Sequence, residues 1–122
     1  MTVLAIALAG GLGAASRYCL DWYITFRREA TFPWGTFVIN ITGAFALGLL
    51  TGLAPFDELA GISKAAITTG FLGSYTTFST WMYETLQSAQ AGQRRVAILN
   101  AGGSLVAGAA AAGAGLYVGG FF

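Results

Sequence analysis

Four long apolar runs divide the chain, at 3 to 26, 34 to 54, 65 to 86 and 96 to 119. A transmembrane helix needs about 20 mostly apolar residues, so each run is predicted to cross a membrane and almost the whole chain to lie in lipid. Polar residues collect in the short connections: Arg27, Arg28, Glu29 and Pro33 in the first, Pro55, Asp57, Glu58 and Lys64 in the second, Arg94 and Arg95 in the third. No stretch is left for a second domain, so 1 to 122 is read as one transmembrane domain. The first run has no basic segment before it and no mature domain after it, and reads as a permanent span instead of a cleaved signal.

The interruptions of this apolar pattern carry the chemistry. In the second span Thr36, Asn40 and Gly43 recur at helical spacing, placing a hydroxyl, an amide and a bare backbone patch on one face. An intramembrane Asn either ties helices together or offers its donors to an anion, and both readings stand for Asn40. In the fourth span Asn100, Ser104 and Gly108 follow at i, i+4 and i+8; the plainer reading of Ser104 is a hydroxyl bonded to its own i−4 carbonyl. The third span is the least lipid-like, because TTGFLGSYTTFST from Thr68 to Thr80 has eight hydroxyl-bearing residues in thirteen. Gly70 and Gly73 beside threonines weaken helix propensity. A broken helix at membrane depth is tolerated only where it is buried or lines a cavity, and freed carbonyls suit small cations while hydroxyls and amides suit anions. Phe78 and Trp81 project from similar sides of the helix. Their positive ring edges can pack or face a passing anion.

Composition narrows the classes. Only 9% of residues are charged, against roughly 25% in a soluble domain, and mean hydropathy is +0.68. Six Lys or Arg against five Asp or Glu leave no electrostatic footprint for nucleic acid. With no His and the single cysteine Cys19, the commonest general base, the commonest metal ligand and any intrachain disulfide are missing, so no enzyme is expected. Most of the 18 glycines fall inside the spans, where small residues let backbones approach closely: Gly48 and Gly52 have GxxxG spacing, Gly11 and Ala15 the looser form, and the Gly102 to Gly115 run should be buried against a helix of this chain or of a partner. Arg17, near the far end of the first span, has Asp21 at i+4, giving an ion pair or snorkelling arginine on one reading and an anion-attracting vestibule on the other. Four thin helices enclose little, so an oligomer is expected.

These motifs carry a family resemblance over nearly the whole chain. AGGLGAASRY at 9 to 18 resembles the first-helix motif of the small bacterial fluoride channels, the Fluc or CrcB family. PWGTFVINITGAFALG at 33 to 48 is similar to their second-helix signature, and GFLGSYTTFSTW at 70 to 81 to their broken third helix. The resemblance implies an all-α membrane protein with four transmembrane helices per subunit, the third broken, assembling as an antiparallel dual-topology dimer in the bacterial plasma membrane. It implies passive export of fluoride, hence fluoride resistance, and a structural Na+ at the dimer centre. Residue by residue, Asn40 matches the pore asparagine and Phe78 the first phenylalanine whose edge faces fluoride. Ser79 and Thr80 match hydroxyls beside the pore, and Ser104 a fourth-helix serine of the polar track. Gly73 and Thr76 match the backbone carbonyl donors to sodium, and Arg17 the family's first-helix arginine, here assigned to the vestibule. Two positions depart from the commonest pattern: Trp81 stands where a second phenylalanine is usual and Asn100 where tyrosine is common, and both are kept on the pore. The indole N–H of Trp81 could donate directly to an anion.

Fluoride is small and strongly hydrated, so a pore must replace its water with donors yet release it. The donor-rich, charge-poor stripes suit that. The rival is a small proton-coupled multidrug exporter, also a four-helix dimer, which would need a titratable carboxylate deep in a helix; no acid sits at the centre of a span. The second subunit is another copy or an oppositely oriented sibling.

Overall fold

The computed structural model describes residues 1–28, 30–59 and 61–122; Glu29 and the side chain of Asp57, both counted among the connection charges, lie outside them. All regular structure among these residues is helical. The elements are α1 (Thr2–Arg27), α2 (Trp34–Gly52), α3 (Ala54–Asp57), α4 (Gly61–Ala65), a π-helical segment Ala66–Leu72, α5 (Gly73–Tyr75), α6 (Phe78–Gln90), α7 (Arg94–Ile98), a second π-helical segment Leu99–Gly103 and α8 (Ser104–Gly119). α1, α2 and the continuous helix from Arg94 to Gly119 are each long and apolar enough to cross a membrane. Pro33 stops the connection and starts α2, and Pro55 stands in the first turn of α3, where its missing N–H costs nothing.

Glycine sets the packing. A Cβ at Gly48 would overlap the Ala112 carbonyl, one at Gly115 the Phe45 carbonyl and one at Gly119 the Leu49 carbonyl. α2 and α8 therefore lie backbone against backbone, with both members of the Gly48/Gly52 pair used. The matched positions rise together, so these helices run parallel. Gly13 against Phe71, and Gly70 against Ile6 and Ala9, give α1 and the first π-helical segment the same relation. Gly11, by contrast, has nothing within 4 Å, as do Gly102, Gly103 and Gly113. Within this chain the burial expected along Gly102 to Gly115 is found at the Gly115 end, while Gly102, Gly103 and Gly113 have no neighbour at their Cβ positions among the described residues.

Parallel α2 and α8 place their first residues at one end of the molecule, together with the end of α1. Arg27, Arg28, Arg94 and Arg95 share that end, Arg17 lies in the half of α1 leading to it, and Lys64 opens the opposite one. With five of six basic residues on one side, the positive-inside rule leads one to expect a preferred orientation. The first and third connections are expected in the cytoplasm and both termini outside. Reporter fusions to the C-terminus should favour one side; equal populations on both sides would contradict the bias.

The chain leaves the helix at Thr76 (φ −78°, ψ 158°) and Thr77 (φ −147°, ψ 120°) and re-enters at Phe78. The interruption falls after Gly70 and Gly73, not at them. Gly70 is spent on the close approach to α1, while Gly73 keeps helical angles. What holds the extended pair is tertiary. Asn40 Nδ2 donates to Thr77 O at 2.9 Å, and Thr77 N–H donates to Asn40 Oδ1 at 2.8 Å. Thr77 also caps α6, its Oγ1 accepting from the Thr80 amide at 3.2 Å.

Candidate functional site

A cavity of about 520 Å³ brings Asn40, Gly73, Thr76, Phe78, Trp81 and Ser104 onto one wall, drawn from α2, α5, the interruption, α6 and α8. No charged side chain lines it among the described residues. Gly43 sits beneath it, where a Cβ would overlap the Thr76 methyl; only a glycine lets the extended pair lie against α2.

Asn40 ties α2 to the interruption, the first of the two readings left open by its sequence. Its oxygen and one amide hydrogen form the reciprocal pair with Thr77, and an amide has two hydrogens. The second has no acceptor among the described residues. Phe78 is 70% exposed, far from a core aromatic, and meets Trp81 edge on, with centroids 5.5 Å apart and planes at 85°. Ser79 and Thr80 do not line the cavity; Thr80 Oγ1 accepts from Thr77 Oγ1 at 3.2 Å, and Ser79 Oγ is 3.4 Å from the same atom. Arg17 lies on α1 and lines no part of it.

Trp81 and Asn100 meet each other. The indole N–H donates to the Asn100 carbonyl at 2.7 Å, and Asn100, fully buried, donates from Nδ2 to Thr85 Oγ1 at 2.9 Å and to Trp81 O at 3.4 Å. Ser104 Oγ donates to Asn100 Oδ1 at 3.3 Å, so its i−4 bond goes to the side chain and not to the backbone carbonyl, which Trp81 takes.

The interruption redirects two amides. In an unbroken helix Thr77 N–H would serve the Gly73 carbonyl and Thr80 N–H that of Thr76. Here they serve Asn40 Oδ1 and Thr77 Oγ1. The carbonyls of Gly73 and Thr76 lose their helical donors on the wall of an open cavity. Among the described residues no group of acidic, Cys or His side chains could hold a metal ion, so only neutral oxygens are offered there. Such a donor set fits a monovalent cation.

A second cavity of about 290 Å³ lies at the arginine-rich end and includes Asp21, Arg28, Thr36 and Glu84. Thr36 Oγ1 donates to Glu84 Oε1 at 2.7 Å, while the buried Oε2 has no partner among the described residues. Asp21 packs on Gly35 and accepts from Thr25 Oγ1 at 3.5 Å. The Thr36 to Glu84 contact and the pivotal Thr77 were not singled out from sequence. The capping position of Thr77, three residues before Thr80, was the available signal.

The chain is similar to proteins of known assignment along most of its length. It is 48% identical over 120 residues to fluoride-specific ion channel FluC 1 of Leifsonia xyli, covering 98% of this chain and 88% of that one. The FluC of Acidobacterium capsulatum is also 48% identical, with 98% and 96% covered. FluC 1 of Streptomyces avermitilis is 42% identical over 113 residues, with 92% and 91% covered. With its spanning helices, the chain is a multi-pass membrane protein. The family model for CrcB-like protein, Camphor Resistance (CrcB), matches residues 4–116, and the chain belongs to that family.

Proposed function

We propose that the protein is a fluoride-selective channel that lets F− leave the cytoplasm passively. The observation that carries this is the cavity itself: the spare amide hydrogen of Asn40 and the exposed ring of Phe78 meet on a lining that has no charged side chain among the described residues. A lysine or arginine there would hold the anion; a carboxylate would repel it. The family relatives named as fluoride-specific ion channels support the reading. In it Asn40, with its spare amide hydrogen, and Phe78 line the path; Trp81 and Ser104 complete the wall, Ser79 and Thr80 stand beside it, and Arg17 belongs to the vestibule. Asn100 lies behind Trp81. The segments from α4 to α6 form the third, broken span of a four-span subunit, and the open cavity is closed by a second, antiparallel subunit, a copy or a sibling.

Proteoliposomes loaded with fluoride test this directly. Efflux should proceed without a proton gradient, with chloride failing to substitute. Flux that stops when the proton gradient is removed would favour the drug-exporter alternative.

Sodium fits the same scheme as a structural ion held by the Gly73 and Thr76 carbonyls of both subunits. Bound there, it would neutralise oxygen dipoles that otherwise repel across the interface. A Cβ on Gly73 would meet only Thr68 O, at 3.6 Å, so within one subunit Gly73→Ala is tolerated and any damage arises at the partner. Thr76→Ser keeps the backbone ligand and should be nearly silent. Exchanging sodium for a large organic cation should lower both dimer stability and fluoride flux; indifference of both would defeat the site.

A further inference from the structure

We infer that Trp81 and Asn100 form one positioning unit that sets the aromatic wall of the ion path, with Asn100 acting through Trp81 and Ser104 and never touching the ion. The inference rests on the channel reading above, and it starts from a closed circuit of hydrogen bonds. Trp81 Nε1 donates to Asn100 O (2.7 Å), Asn100 Nδ2 to Thr85 Oγ1 (2.9 Å), and Thr85 Oγ1 back to Trp81 O (2.8 Å). The other hydrogen on Asn100 Nδ2 reaches Trp81 O at 3.4 Å, and Oδ1 takes the hydroxyl of Ser104 at 3.3 Å. Every polar hydrogen of the indole and of the carboxamide is used inside the subunit, and Asn100 is 0% exposed. Neither group has a donor left for an anion.

The backbone supplies the acceptor. Asn100 lies in the π-helical segment Leu99–Gly103, and its carbonyl is one of two that share the Ser104 amide. The carbonyl shares that helical donor with its neighbour and has a second lone pair, which takes the indole N–H. On its other side Trp81 meets Phe78 at right angles. A ring fixed at its nitrogen limits the rotation of the exposed ring packed on it. The unit thus links the α7–α8 helix to the orientation of Phe78. The two residue types support each other: a phenylalanine at 81 would remove the indole bond to the Asn100 carbonyl, and an apolar residue at 100 would take the acceptor from Ser104 and one of the two bonds from Thr85.

Two measurements separate this from independent roles. Fluoride efflux is measured from liposomes bearing the unmodified channel, Trp81→Phe, Asn100→Leu and the double variant. Each single change should slow efflux about tenfold, as expected when a buried polar partner is lost, and the double variant should be no slower than the worse single. Losses that multiply to about a hundredfold, or singles with unchanged flux, would overturn the unit. The second measurement needs no variant that must fold: the indole N–H resonance of Trp81 is followed by NMR in the intact channel as fluoride replaces chloride. It should stay in place, because the proton is already donated to Asn100. A fluoride-dependent downfield shift of that proton would make Trp81 a direct donor and refute the proposal. Unmodified channel that passes no fluoride would instead refute the channel reading, and the resonance would still report whether the indole is bonded.

Discussion

Asn40→Asp should abolish fluoride efflux. The residue has two duties, and the substitution damages both. Asn40 donates to Thr77 O and accepts from Thr77 N–H; an aspartate keeps the second bond and replaces the first by a carboxylate oxygen facing a carbonyl oxygen. That repulsion loosens the extended pair Thr76 and Thr77, whose conformation leaves the Thr76 carbonyl, and that of Gly73 before it, without helical donors. The larger effect is charge. Two like unit charges 4 Å apart repel by about 4 kcal/mol at an effective dielectric constant near 20, equivalent to roughly a thousandfold loss of anion occupancy. Asn40→Ser isolates the duties, because it adds no charge but cannot span to both Thr77 groups, and it should reduce flux less than aspartate does. Efflux is read from liposomes, with size-exclusion profiles showing that the variant assembles as the unmodified protein does. Normal efflux through the aspartate variant would remove Asn40 from the path.

What was legible from sequence divides by the range of the interaction that decides it. The helices α1, α2 and the run to Gly119 follow from apolar length alone, and their ends fall within two residues of the runs at 3 to 26, 34 to 54 and 96 to 119. The local disorder of the third span was readable as hydroxyl and glycine density. Its location was not, because the extended residues are fixed by Asn40, 37 positions away, and local propensity pointed at the glycines. The polar stripe of Thr36 and Asn40 was visible as spacing. The partners it meets, Glu84 and Thr77, belong to another helix and carry no mark in the stripe itself. Asn100 shows the same limit: its side chain is on the stripe with Ser104, but burial and three committed bonds depend on Trp81 and Thr85, 19 and 15 residues earlier. A periodicity argument identifies the face and cannot say whether the face is wet.

Gly48 should be the least replaceable glycine of the α2 and α8 contact, and even Gly48→Ala should be strongly destabilising. In an exposed helix Gly→Ala gains about 1 kcal/mol through backbone entropy, so the intrinsic term favours the substitution. The packing term opposes it. An added Cβ would lie inside the Ala112 carbonyl oxygen and close to its carbon and Cα, all backbone atoms that no rotamer change can clear. α2 and α8 would have to separate, and separation also opens the Gly115 contact with Phe45 and the Gly119 contact with Leu49. In lipid there is little apolar driving force to pull the helices together again, since close packing is what distinguishes a neighbouring helix from a lipid tail. Overpacking of this kind costs about 1–3 kcal/mol in well-packed cores and more where backbone must move, so a loss above about 3 kcal/mol is expected. Gly113 on the same helix provides the control, because nothing lies within 4 Å of its Cβ position, and Gly113→Ala should be neutral or slightly stabilising. Thermal aggregation in detergent, followed by size exclusion, compares the two. Equal stability of the Gly48 and Gly113 variants would show that α2 and α8 do not pack backbone to backbone. The expected opposite signs follow from a single structural difference, whether a neighbouring carbonyl occupies the space a methyl would need.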